Sequence, residues 1–593
     1  MSHTITHFMW GFQPHFRISQ ECVAKRVFGL LDERFEPQVF LVGILVDENE
    51  NKYPACVEPE QDFWAESEAF DPVLERARQI CESYPERQLM HSHPRAQKWH
   101  DEGLRSRSIR DAILQLIAQN ARRPRELSFL VSPPTKVNSY SVHVVLGLET
   151  AIIQRHPRLT KESVPIHEFR SKKVCVSLID AVGGAYLDKA AGELQQPDPG
   201  ADLSELKAEE IVREGANRLM TDLAYRAAPG CTGGWSDFLS SCAKVSGTPY
   251  EGSEGRGLMV LARKDHSSLE KVVTFTTPTR LRVTRAARKL IQLASEEMAL
   301  HTDSEDLYGL VRVRGYTASN EDLFTIRFDG MHRWSVLHDG ETLMSVKYGQ
   351  PYLSKPPFDE EKLREDLPRI FGRMTERHIA RILSLIREAE RERHGTTLII
   401  SKGARRESER LAAQSTPIVR RAMSPELLSR LTPVDGAILL NPKGTCYAIG
   451  VILDGMATAA GNPARGARYN SAIRYVSSTR YPCLAVIVSE DGGIDFFPDL
   501  KPMILRSSIE AALATLRQSG SKHPISYRRY GEAMDWLDRH RFYLLPDDCE
   551  EINNLVELIE MRLLAEYPLG VRAKRSKFVP HEEMNSSLYY KPE

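Results

Sequence analysis

Residues 432–440 read Thr432-Pro433-Val434-Asp435-Gly436-Ala437-Ile438-Leu439-Leu440, and they set the architecture of the C-terminal half. Asp435-Gly436 is a turn pair, and the apolar run behind it has strand length. The turn Asn441-Pro442-Lys443-Gly444 follows, so residues 437–440 and 447–453 are predicted to pair as strands across it. Upstream, residues 396–401 form an apolar strand and 407–413 a helix, and Met423-Ser424-Pro425-Glu426-Leu427-Leu428 opens another helix. Downstream, residues 470–478 are helical. Residues 484–489 and 494–497 pair across Glu490-Asp491-Gly492-Gly493, a strong hairpin signal. Strands and helices thus alternate from 395 to 500, which predicts a mixed-sheet α/β domain.

Further out the pattern changes. Residues 358–394 are rich in Arg, Glu and Leu, with Leu363, Leu367, Ile370, Met374, Ile379, Ile382 and Leu383 as an apolar stripe. Opposite charges interleave there, as on a packing helix with a solvated face. From Ser508 to the end the pattern is helical, with a polar tail. At the other end, residues 39–46, 127–131 and 140–146 read as strands and 109–121 as a helix. Residues 174–179 read as a strand leading into a helix, 285–299 as a helix, and 195–200 and 252–257 as loops. The expected division is 1–170 and 171–357, both α/β, then 358–505 as helix plus mixed-sheet domain, then 506–593 as a helical extension.

A chain of 593 residues allows about four domains as a prior. Lys+Arg number 79 and Asp+Glu 80, for a net charge of -1, which argues against a bulk electrostatic grip on nucleic acid or anionic lipid. Met1-Ser2-His3-Thr4-Ile5-Thr6-His7 lacks a basic and an apolar region, so no secretory leader is expected. No apolar window of membrane length occurs, so no membrane span is expected. Nine scattered cysteines form no CxxC pair, and the expected compartment is the reducing cytoplasm.

Three sets of residues offer chemistry. His91-Ser92-His93-Pro94 with Ser108 and Asp111 has the letters of the JAMM metalloprotease signature, but seventeen residues separate His93 from Asp111 and the spacing does not fit. Gly230-Cys231-Thr232-Gly233-Gly234 and Gly252-Ser253-Glu254-Gly255-Arg256-Gly257 lack the lysine of a phosphate loop and read as turns. The third set lies within the α/β stretch. Asp435 enters a strand ahead of Gly436. Gly466 and Arg468 open a helix, whose N-terminus attracts anions. Ser489 and Glu490 end another strand at a tight turn. Carboxylates, an arginine and a helix N-terminus together suit a metal-bound polyphosphate.

Together these segments resemble the diadenylate cyclase (DAC, DisA_N-type) domain. Asp435-Gly436-Ala437 matches its D-G-A motif. Gly466-Ala467-Arg468-Tyr469-Asn470-Ser471-Ala472 stands in place of G-T-R-H-R-A-A, and Ser489-Glu490-Asp491 in place of S-E-E. His394-Gly395-Thr396 and the S-P-E-L-L helix resemble the segment upstream. The resemblance covers residues 375–500, and the chain ahead of it resembles the sensor regions (the DACNV type) attached to some bacterial DAC domains.

The resemblance implies a protein that condenses two ATP molecules into cyclic di-AMP, or a related cyclic dinucleotide, under control of N-terminal sensor domains. Each 3′-OH attacks the α-phosphate of the other ATP and pyrophosphate leaves, so two domains must meet face to face in a homo-oligomer. It implies Asp435, Arg468 and Glu490 as catalytic residues, with Asp435 and Glu490 on Mg²⁺ or Mn²⁺. It implies Gly436, Ala437, Gly466, Ala467, Tyr469, Asn470, Ser471 and Ser489 around the nucleotide. The sensed ligand is left open, and a phage-defence setting is consistent with the architecture. Ala467, Tyr469 and Asn470 depart from the family's Thr, His and Arg, removing a formal positive charge from a triphosphate site; Arg465, Arg474 and Lys443 are the cations that could replace it. Three readings follow: a divergent cyclase, an enzyme with a different nucleotide product, or a catalytically silent domain that serves as nucleotide-binding sensor or assembly scaffold.

Overall fold

The computed structural model describes residues 13–45, 54–59, 69–90, 92–120, 126–167, 170–196, 207–229, 237–249, 255–295, 297–354, 358–391, 395–456, 466–489, 493–521, 527–566 and 576–591. The chain divides into two compact units, Met1–Pro356 and Pro357–Glu593. Among the described residues no helix is long and apolar enough to cross a membrane.

The first unit contains a five-stranded antiparallel sheet in which Gln38–Leu45 runs between Ala55–Glu58 and Tyr140–Glu149. Its unbroken apolar run has a simple cause: both faces are covered. Val39 and Leu41 join a core with helices Gln13–Gly29, Leu178–Glu193 and Ala208–Ala227. Phe40, Val42 and Ile44 face a second core with helices Val73–Ser83 and Pro94–Asn120. An eight-stranded sheet spans Arg256–Leu261 to Gln350–Tyr352 and shares the first core through Phe324, Ile326, Trp334 and Met344. Arg226 is buried and donates to the Glu321 carboxylate at 3.0 Å and to the Lys161 and Cys175 carbonyls. This pair ties helix Ala208–Ala227 to the loop ahead of strand Phe324–Gly330.

Several expectations are corrected here. Residues 174–179 form no strand. Ser177 accepts from the Asp180 N–H and caps helix Leu178–Glu193, whose first turn buries Leu178, Ile179 and Ala181. The helix expected over 285–299 stops at Ile291, and Ala299 already opens strand Ala299–Thr302. Residues 252–254 lie outside the described residues, but Arg256 and Gly257 belong to a strand rather than a loop. The helical stretch 358–394 is two helices, parted at Gly372, whose φ of +68° no helix continues through.

In the second unit the elements are α1 (Glu360–Phe371), α2 (Glu376–Arg391), β1 (Thr396–Ser401), α3 (Ala404–Arg410), β2 (Thr416–Ala422), α4 (Pro425–Leu431), β3 (Ala437–Leu440), β4 (Thr445–Val451), α5 (Ala467–Ser478), β5 (Cys483–Val488) and β6 (Ile494–Phe497). The sheet order is β2-β4-β3-β1-β5-β6. Only β1 and β3 are parallel, so the sheet is mixed. Period-two alternation explains the layers. Leu398, Ile400, Ile438, Leu440, Leu484 and Val486 pack under α1, α2 and α4. Ile399, Ala437, Leu439, Ala485 and Ile487 pack under α3 and α5. Helices α6 (Arg506–Ser521), α7 (Tyr527–Arg539) and α8 (Pro546–Glu566) close around a separate apolar core, with a bidentate Arg506–Asp548 pair between α6 and α8.

Candidate functional site

The register brings three distant segments to one end of the sheet. Thr397 pairs with Ala437 in the parallel ladder, and Thr396 with Val488 in the antiparallel one. Continuing those ladders places Gly395 between Asp435 and Ser489. Helix α5 packs on β5 and on β1 with Ala472 and Tyr475 buried, so its first turn reaches the same end. A cleft of about 300 Å³ opens there, lined by Gly395, Thr432, Pro433, Val434, Asp435, Gly436 and Arg468.

Within it the Asp435 side chain is 96% exposed, and Arg468 reaches across so that its Nη2 lies 3.9 Å from Asp435 Oδ1. The same oxygen accepts from the Gly436 N–H at 3.0 Å, which orients the carboxylate. Gly436 has a φ of +105°, and a Cβ there would lie 2.6 Å from the Gly450 carbonyl carbon. Its small size is demanded by the neighbouring strand. Gly466 is different: it is the N-cap of α5, and among the described residues no side chain caps the helix there and a Cβ would meet nothing within 4 Å. The first-turn N–H groups and the positive helix end thus stand beside Arg468, with no side-chain cap among the described residues.

The remaining expected residues divide. Ala437 is buried in β3 and serves the sheet. Ala467 is exposed at the first position of α5, and Ser471 lies half-buried one turn on. Tyr469 is half-buried and packs against the apolar layer under α5. The Asn470 amide donates back to the Gly466 carbonyl at 3.3 Å. Ser489 closes the hairpin, with its N–H and hydroxyl both donating to the Gly493 carbonyl. Glu490 and Arg465 lie outside the described residues. Lys443 does not compensate for the missing arginine, since its turn joins the other ends of β3 and β4 and packs beside Arg381. Arg474 stands two turns into α5, away from its N-terminus. Thr432, Pro433 and Val434 carry no charge or motif letter, and only the strand register marks them as cleft residues.

A divalent cation shared with a nucleotide takes one or two protein carboxylates and completes its shell with phosphate oxygens and water. Asp435 fits that demand, with one oxygen held by Gly436 N–H and the side chain open to solvent. No group of three or more His, Cys, Asp or Glu suited to a caged ion occurs among the described residues. As for the other metal candidate, His91 lies outside them, His93 Nδ1 accepts from the Arg95 N–H, and Asp111 accepts from the Tyr84 hydroxyl.

Three family models match stretches of the chain. Residues 385–499 match the DAC model, described as DisA bacterial checkpoint controller nucleotide-binding. Residues 9–220 match the probable sensor domain DACNG, and 236–340 the probable sensor domain DACNH; these are the types present in place of the DACNV type. No curated protein matches the chain. Among solved structures, a double mutant of DacA from Staphylococcus aureus is 20% identical over 20% of this chain and 81% of its own, with a TM-score of 0.18. A hypothetical membrane spanning protein from Bacillus cereus is 21% identical over 22% of this chain and 64% of its own, also with a TM-score of 0.18. Neither likeness bears on activity. Residues 385–499, which hold the cleft, thus match the DAC nucleotide-binding model, and the matches to the probable sensor domains DACNG and DACNH precede them in the chain.

Proposed function

We propose that the cleft binds ATP and that two such domains condense two ATP molecules into cyclic di-AMP, or a related cyclic dinucleotide, with the N-terminal domains setting the rate. The observation that carries this reading is the meeting of Asp435, Gly436 and Arg468 at the open N-terminus of α5, inside the residues that match the nucleotide-binding model. Arg468 and the first-turn N–H groups suit phosphate oxygens. Asp435 suits Mg²⁺ or Mn²⁺, which when bound supplies charge neutralisation at the phosphates. It also stands where a 3′-OH could lose its proton. The chemistry asks mainly for positioning and charge neutralisation. In this reading each cleft takes one ATP, which leaves half of a two-nucleotide reaction to a second copy, so a homo-oligomer with facing clefts is part of the proposal.

A second reading has its own support. Tyr469 packs inward and Asn470 is turned onto the Gly466 carbonyl, so neither takes the place of the family's His and Arg over a phosphate. That favours a domain that binds nucleotide without turning it over. Purified full-length protein incubated with ATP and Mn²⁺, with products separated by chromatography, decides between them. Cyclic dinucleotide that disappears in Asp435→Asn supports the enzyme. ATP binding without product supports the sensor or scaffold, and no binding of ATP refutes both.

A further inference from the structure

Glu407 and Arg410, Asp454, and Tyr475 come from three separate segments of the sequence and meet in one bonded group. Arg410 donates to both Asp454 oxygens, at 2.5 and 2.9 Å, and to Glu407 Oε2 at 2.8 and 3.0 Å. The same Glu407 oxygen accepts from the Tyr475 hydroxyl at 2.9 Å. Tyr475 is 1% exposed and lies on α5, Glu407 and Arg410 lie on α3, and Asp454 follows β4. One guanidinium and one carboxylate therefore join three elements.

Two further contacts lie beside it. Gly455 has a φ of +153°, and a Cβ on it would lie 2.5 Å from the Arg474 carbonyl oxygen, so the chain passes directly against the backbone of α5. The Met456 N–H donates to the Ser478 hydroxyl at 3.2 Å. Residues 454–456 thus run as a strap along the C-terminal half of α5. The ion pair holds the Asp454 carboxyl below its ordinary range. Burial, joined by nearby Cys483 and Glu407, pushes the Tyr475 hydroxyl well up, so it stays a donor.

We infer that Arg410 is a positioning residue for the nucleotide cleft: through Asp454 and Glu407 it fixes α5, and so fixes where Arg468 and the open helix N-terminus stand relative to Asp435. This rests on the ATP-binding reading above. None of the four residues lines the cleft, and an effect on ATP must therefore pass through the placement of α5.

The test uses full-length Arg410→Ala, Arg410→Lys and Asp454→Asn. The measurements are ATP affinity with Mn²⁺, KM and kcat where product forms, thermal unfolding, and hydrogen exchange over residues 467–478 without nucleotide. A helix displaced by a fraction of an ångström should raise the Kd or KM for ATP about tenfold and leave kcat less affected. Exchange in α5 should quicken by a similar factor, and Arg410→Lys should recover part of both. Should Arg410→Ala fail to fold, Asp454→Asn carries the test, since that side chain is half exposed and keeps its shape. Lower thermal stability with unchanged ATP affinity and α5 exchange overturns the inference. A wild-type chain that binds no ATP overturns the functional reading instead, and the positioning role falls with it.

Discussion

Replacing Gly436 by alanine tests whether the floor of the cleft is held by backbone geometry. An L-residue at a φ of +105° carries a penalty of roughly 1–2 kcal/mol. The added Cβ would also lie 2.6 Å from the Gly450 carbonyl carbon and 2.9 Å from the Gly450 Cα and the Val451 nitrogen. These are backbone atoms, so β3 and β4 must part by several tenths of an ångström. Overpacking of this kind costs about 1–3 kcal/mol, for a total near 2–5 kcal/mol. Gly466→Ala is the control, because its Cβ enters open space and only a modest N-cap loss, under about 1 kcal/mol, is expected. Urea unfolding gives the two stabilities, and hydrogen exchange over residues 434–452 localises the loss to the β3–β4 ladder. ATP affinity should fall in both variants. In Gly436→Ala the N–H that orients Asp435 moves; in Gly466→Ala a methyl group stands where phosphate approaches. Equal stability of the two variants, within about 0.5 kcal/mol, would refute this account of Gly436.

Other outcomes can be read from the first unit. Arg226→Ala should destabilise it by about 3 kcal/mol, because the buried Glu321 carboxylate loses its guanidinium and keeps only the Thr160 and Lys161 donors; thermal unfolding measures this, and a change under about 1 kcal/mol would contradict it. Burial pushes His143 down to about 4 from its ordinary 6.5. The folded value lies below the unfolded one, so the unfolded chain takes up the proton first and stability falls as pH drops through this window, by about 3 kcal/mol in all. Unfolding measured from pH 7 to 4 should show that slope in the wild type and a shallower one in His143→Gln.

The second unit was far more legible in sequence than the first. Turns with a chemical signature, Asn441–Gly444 and Glu490–Gly493, each follow a strand whose apolar run is buried on both faces, and β1, β3 and β6 fall at the expected residues. The eight-stranded sheet left a weaker trace. Its strand Leu269–Arg280 is exposed on nearly every side chain, so it shows no apolar alternation. The turns at Asp339-Gly340 and Tyr348-Gly349, with positive φ at both residues, were the available signal for its hairpins. Residues 174–179 show the opposite difficulty, since a short apolar run fits a buried helix start as well as a strand. In the cleft, Asp435, Gly436 and Arg468 carried motif letters, and the structure brings them together. The direction of Asn470 and Tyr469 and the Arg410 strap depend on contacts between distant segments, which no local pattern encodes.

The mixed direction of the second sheet has a consequence for how this domain tolerates change. The cleft lies before β1 and β3 and after β4 and β5, so every connection at the other end is remote from it. Those connections include Lys402-Gly403, the turn 441–444 and residues 479–482, about 20 Å away along a six-residue strand. Insertions, tags or fused domains placed in the turn 441–444 meet α2, through Arg381, and Met423, whose N–H donates to the Gly444 carbonyl, and lie away from the cleft end. The sheet thus has one end constrained by chemistry and one free to diversify, and that free end is where reporters of the domain's state can be attached.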